Sequence, residues 1–205
     1  MMRVRNVAKH TAIVVSALVG AATMLMIGAS PASAGGIDGT GTTGPCVTTG
    51  QIKFKPALTS TGMGAGAVKI KSKGSTCTGG TLDGAHVTAS KGKGVGTTAS
   101  TNCTGLVGTQ SNMFSIVVKW KTDGTVKLNP STITITSTTG GLTMDGHGSF
   151  DATGSVTAGS FNGAPVTAHV ETDQTAADIA TACGAKGVKK ITFGLNGLST
   201  INVGM

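Results

Sequence analysis

Met113-Phe114-Ser115-Ile116-Val117-Val118-Lys119-Trp120-Lys121 is the stretch that decides the fold. Phe114, Ile116, Val118 and Trp120 fall on one side of a two-residue period. Met113, Ser115, Val117, Lys119 and Lys121 fall on the other. Successive side chains of a strand point to opposite faces, so this pattern predicts a strand with one face in a core and the other in water. The segment carries the single Trp, and Thr122-Asp123-Gly124 after it reads as a hairpin turn.

Weaker copies of the pattern flank it. Ile52 and Phe54 alternate with Lys53 and Lys55, and Val68 and Ile70 alternate with Lys69, Lys71 and Lys73. His86, Val87 and Ala89 suggest another strand, running into Lys91-Gly92-Lys93-Gly94, and Gly74–Gly80, which holds Cys77, reads as a loop. Val126 and Leu128 are expected to return beside the central strand, stopped at Asn129-Pro130, and Ile133 and Ile135 alternate with threonines beyond. Two further strands are expected over 142–156 and 159–170, and a last hairpin from Val188–Phe193 and Leu198–Val203. Asp173–Cys183 is the single helical candidate, with Thr172 or Asp173 as its cap. Many short alternating runs separated by Gly and Asn/Asp define an all-β class. We expect a single-domain antiparallel β-sandwich or closed β-barrel of about 8–10 strands, with one short helix near 174–182.

The N-terminus reads as an export signal. Arg3, Arg5 and Lys9 precede an apolar run from Thr11 to Ile27, and Ala32-Ser33-Ala34 is a small-x-small cleavage site. With no Arg-Arg pair there, the general secretory route is expected. Residues 1–34 are then a cleavable signal peptide, and 35–205 are one all-β domain with a loose lead-in over 35–45. The aromatic content of the whole chain is 3%, so the core must rely on smaller aliphatic side chains, and disulfides would offset that. Cys46, Cys77, Cys103 and Cys183 allow three connectivities. We expect Cys46–Cys77, tying neighbouring strands, and Cys103–Cys183, pinning the late segment to the core. Zinc is disfavoured because no C-x-x-C knuckle is present.

Gly44-Pro45-Cys46, Asn102-Cys103-x-Gly105-Leu106, Val118-Lys119-Trp120 before the Asp-Gly turn, Gly154-Ser155-Val156-Thr157-x-Gly159-Ser160-Phe161-x-Gly163, Ala182-Cys183 and Ile191-Thr192-Phe193-Gly194 stand in that order along the chain. In that layout the chain resembles a family of exported actinobacterial Gly/Thr-rich proteins with four cysteines. The resemblance implies export and β-structure, and carries over no activity and no functional residues.

Chemistry enters through lysine. Lys53/Lys55, Lys69/Lys71/Lys73, Lys91/Lys93 and Lys119/Lys121 each sit two residues apart and so share a strand face. Beyond the signal, thirteen lysines stand against eight acids, a charge of +5. Residues 35–128 carry +7 and residues 129–205 carry −2. An anion-binding face of Lys53, Lys55, Lys69, Lys71, Lys73, Lys119 and Lys121 would suit an anionic cell-wall polymer or a lipid surface. A solvated face that discourages edge pairing is the plainer explanation. Nucleic acid is not expected, since the chain beyond the signal has no Arg and few aromatics to stack bases. No cofactor motif is present: Gly62–Gly66 lacks the Lys-Ser/Thr of a phosphate loop.

The expected function is a non-enzymatic binding or structural protein, extracellular or of the cell envelope. Two alternatives stand beside it. Asp145-x-His147 and His169-x-Glu171 would make a metal or hydrolase site if their strands were neighbours. An outer-envelope β-barrel fits the alternation, although five Phe, one Trp and no Tyr cannot build its aromatic girdles.

Overall fold

A computed structural model of the chain describes residue 39 and residues 41–82, 84–103, 114–141, 146–196 and 198–204. The strands are β1 (Gly41–Thr42), β2 (Cys46–Leu58), β3 (Gly66–Leu82), β4 (Ala85–Thr98), β5 (Phe114–Thr122), β6 (Ser131–Gly141), β7 (His147–Ala158) and β8 (Pro165–Thr175). Helix α1 (Ala176–Ala185) follows, then β9 (Val188–Phe193) and β10 (Thr200–Val203).

All ten strands join one antiparallel sheet. From β2 to β8 each strand pairs with the next in sequence. The circuit then closes, because β8 pairs with β10 and both β9 and β10 pair with β2. The sheet is therefore a closed barrel, the second of the two architectures the alternation allows. Closure removes the unpaired edges an open sheet would expose. The expected final hairpin is corrected here. β9 and β10 do not pair with each other; they share the last place, β10 at the Cys46 end of β2 and β9 further along.

Four other expectations change. Gly74–Gly80 is strand, not loop: β3 runs through it to Leu82, with register shifts against β4 between Lys71 and Ser75 and between Thr76 and Gly80. Those bulges absorb the irregular Gly/Ser/Thr run without ending the ladder. Val126 and Leu128 lie in the connection after β5, and β6 pairs with β5 instead. The lead-in is not loose over its last residues, because β1 pairs with Thr81–Leu82 and Thr43 is fully buried, its hydroxyl accepting from Val203 N–H at 3.1 Å. Helix α1 lies two to three residues later than expected. Thr175 caps it in a reciprocal box with Asp178, whose carboxyl is held below its usual range by hydrogen bonds from the Thr175 side chain and backbone.

The barrel interior is packed at one end around Phe161, the largest fully buried side chain. Trp120 meets it edge-on, with ring centroids 5.2 Å apart. Trp120 Nε1–H donates to Ser131 Oγ at 2.7 Å, and Ser131 Oγ–H donates to the Ser160 carbonyl. A second cluster gathers Leu58, Ile179, Cys183, Val188 and Ile191 between α1 and the wall. Both disulfides form as expected. Cys46–Cys77 joins directly paired positions on β2 and β3, and Cys103–Cys183 ties α1 to the segment after β4.

Candidate functional site

Strand pleat sends Ile52, Phe54, Val68 and Ile70 inward and their lysine neighbours outward. Lys53, Lys55, Lys69, Lys71, Lys73, Lys91, Lys93, Lys119 and Lys121 are all exposed. The register then stacks them across strands. Lys53 lies directly opposite Lys69 on one side and Lys190 on the other. Lys71 faces Lys93, and Lys91 faces Lys119. Strands β9, β2, β3, β4 and β5 are consecutive neighbours, so the lysines cover one continuous half of the barrel wall. Strands β6, β7 and β8 carry no lysine and present threonines, histidines and acids instead. The charge asymmetry of the sequence is thus an asymmetry between two sides of one barrel.

Like charges placed directly opposite on a sheet are destabilising, by up to about 1 kcal/mol a pair relative to neutral pairs. Four such pairs, Lys53–Lys69, Lys53–Lys190, Lys71–Lys93 and Lys91–Lys119, recur in this patch. A surface selected only for solubility would gain as much from alternating signs, without that cost. Val95 and Val117, 53% and 45% exposed, sit in the same rows, opposite Lys69 and Lys93 respectively.

The acid and histidine residues arrange differently from expectation. His169 and Glu171 do share one face of β8, as their spacing requires. The third member is Asp151, which the β7–β8 register places directly opposite His169. His147 is paired with Thr175, at the far end of the same two strands, and does not join them. Asp145 lies outside the described residues. His169 Nδ1 sits 2.7 Å from Asp151 Oδ1 and Nε2 sits 3.3 Å from Glu171 Oε1. The Asp151 hydrogen bond, opposed by partial burial and aided by Glu171, raises the His169 pKa above its ordinary 6.5.

Both ring nitrogens face carboxylates, an arrangement that favours the imidazolium over the neutral ring. In the imidazolium form neither nitrogen can accept a proton or ligate a metal. Among the described residues no three His, Cys, Asp or Glu side chains are grouped to hold a metal ion. The acids of β8 serve the next connection: Glu171 Oε2 accepts from Leu198 N–H at 3.0 Å, and Asp173 Oδ1 accepts from Leu195 and Asn196 N–H. The missed partner, Asp151, could be found only from the hairpin register, which the six-residue connection between β7 and β8 leaves open.

A raised folded-state pKa means that the interaction stabilises fully below pH 6.5 and is lost as pH rises through the folded value. NMR titration of His169 should therefore give a midpoint above 6.5, and Asp151→Asn should return most of the shift. A His169 midpoint at or below 6.5 in the parent protein would contradict this geometry.

No known protein family matches the chain, and comparison with the curated proteins and with the solved structures finds no match.

Proposed function

We propose that the protein is an exported, non-enzymatic component of the cell envelope or its surroundings, which associates with anionic surfaces through the lysine-covered half of its barrel. The observation that carries this reading is the cross-strand stacking of lysines on consecutive strands, with Lys53 flanked by Lys69 and Lys190. Summed over the patch, such charges raise the local concentration of anionic partners. The exposed Val95 and Val117 among them favour lipid headgroups over a fully hydrated wall polymer. The export signal at 1–34 and the two disulfides support a location outside the cytoplasm. A membrane-spanning barrel has less support: its wall would be apolar outside, whereas here the lysine rows point out and the apolar rows point in.

Sedimentation of the mature, oxidised protein with vesicles tests the reading. Binding to phosphatidylglycerol vesicles is expected at low salt and should weaken steeply toward physiological ionic strength, while neutral phosphatidylcholine vesicles should bind little. Purified envelope should behave as the anionic vesicles do. Absence of anionic-vesicle and envelope binding at low salt overturns the reading.

A further inference from the structure

The barrel interior carries a second, independent feature. Between the Phe161 end and the helix-covered cluster lies a cavity of about 190 Å³. In a small barrel the inward side chains ordinarily fill the lumen. Here Ile52, Ile70, Ile116, Phe114, Phe150 and Val170 point inward and line the cavity, yet each is only half-buried. Gly92 and Gly94, the inward positions of Lys91-Gly92-Lys93-Gly94, add no side chain, and Ser72 and Ile116 fill the room this leaves: a Cβ on Gly92 or Gly94 would come within 2.6 Å of Ser72 Oγ or 2.8 Å of Ile116 respectively.

The lining contains no charged residue; its polar members are Ser and Thr hydroxyls. An apolar cavity of roughly 150 Å³ is enough to hold a benzene ring.

We infer that the barrel lumen is a binding site for an uncharged, largely apolar molecule somewhat larger than benzene. A medium-chain aliphatic alcohol represents the class. The same chemistry could be offered by a free small molecule or by the end of a lipid chain. The inference does not rest on the lysine surface, and neutral probes separate the two.

The test uses the mature, oxidised protein labelled in its Ile, Leu and Val methyl groups. Titration with 1-octanol should shift the Ile52, Ile70 and Ile116 methyl signals and raise the melting temperature in a saturable way. Toluene should shift the same methyls. Ala168→Phe places a ring in the cavity opposite Ala152 and should abolish the shifts. If that variant does not fold, Ala168→Leu, which takes up less of the cavity, decides the matter: it should weaken both octanol and toluene. Neutral phosphatidylcholine vesicles, added in place of octanol, show whether a lipid chain also enters. Absence of lumen shifts up to the solubility of octanol, shifts confined to surface residues such as Leu195 and Leu198, or an Ala168→Leu variant that binds octanol and toluene as the parent does overturns the inference.

Discussion

Phe161→Ala should lower the unfolding free energy by about 3–5 kcal/mol, the usual cost of deleting a fully buried aromatic ring. Phe161 is 0% exposed and is the ring against which Trp120 packs edge-on. Its backbone sits at φ 66°, a conformation that bulky residues rarely adopt. Ala would hold the same φ, so the substitution removes the ring and leaves the backbone cost in place. The position is fixed from outside the hairpin: Phe161 N–H donates to the Gly39 carbonyl at 2.9 Å, and the Ser160 carbonyl accepts from Ser131. The site cannot collapse easily, because Trp120 is held by its own hydrogen bond to Ser131 at 2.7 Å. For a domain of this length the melting temperature should fall on the order of 10 °C. Denaturant unfolding measures the loss directly, and a change below about 1 kcal/mol would contradict the packing described.

The second large effect is expected at Cys103–Cys183. Chain-entropy arithmetic for its 80-residue separation gives about 4.5 kcal/mol, against about 3.7 kcal/mol for the 31 residues between Cys46 and Cys77. Cys46 and Cys77 are also held opposite each other by the β2–β3 ladder, so their bond adds least to what the sheet already fixes. Cys103–Cys183 has no such duplicate: it anchors α1 and the Leu58–Ile179–Val188 cluster. The double variant Cys103→Ala/Cys183→Ala should therefore unfold at clearly lower denaturant than Cys46→Ala/Cys77→Ala. Equal midpoints for the two double variants would contradict this ranking.

The fold was legible where local pattern and burial agree. The alternation at 114–121 became β5, and Val188–Phe193 became β9, because both bury one face against a continuous core. Pattern failed where non-local pairing decides. Gly74–Gly80 looks like a loop because it lacks apolar alternation, yet β2 and β4 hold it as strand. Val126 and Leu128 alternate well, but β6 takes the place beside β5. Closure depends on β2 meeting β9 and β10, more than a hundred residues away in sequence, and no local signal encodes it. Lysine spacing gave the charged faces, whereas their stacking into opposed pairs needed the register. The carboxylate–histidine group was half legible: the two-residue spacing brings His169 and Glu171 together, and the hairpin register supplies Asp151 and sets His147 at the far end of the pair. The cavity was not legible, because its lining comes from strands that only closure of the barrel brings together.

The measurement that bears most directly on the proposed function compares two variants of equal charge. Lys71→Gln/Lys93→Gln removes one opposed pair from the lysine half-wall. Lys127→Gln/Lys186→Gln removes two exposed lysines that lie outside the strands. Affinity for phosphatidylglycerol vesicles at low salt should fall about 30-fold in the first, at about 1 kcal/mol per lysine, and clearly less in the second. The first variant should also be no less stable than the parent, since a like-charge pair has been relieved. Equal losses in the two variants would show that net charge alone governs binding, and would contradict an assigned role for the stacked lysine face.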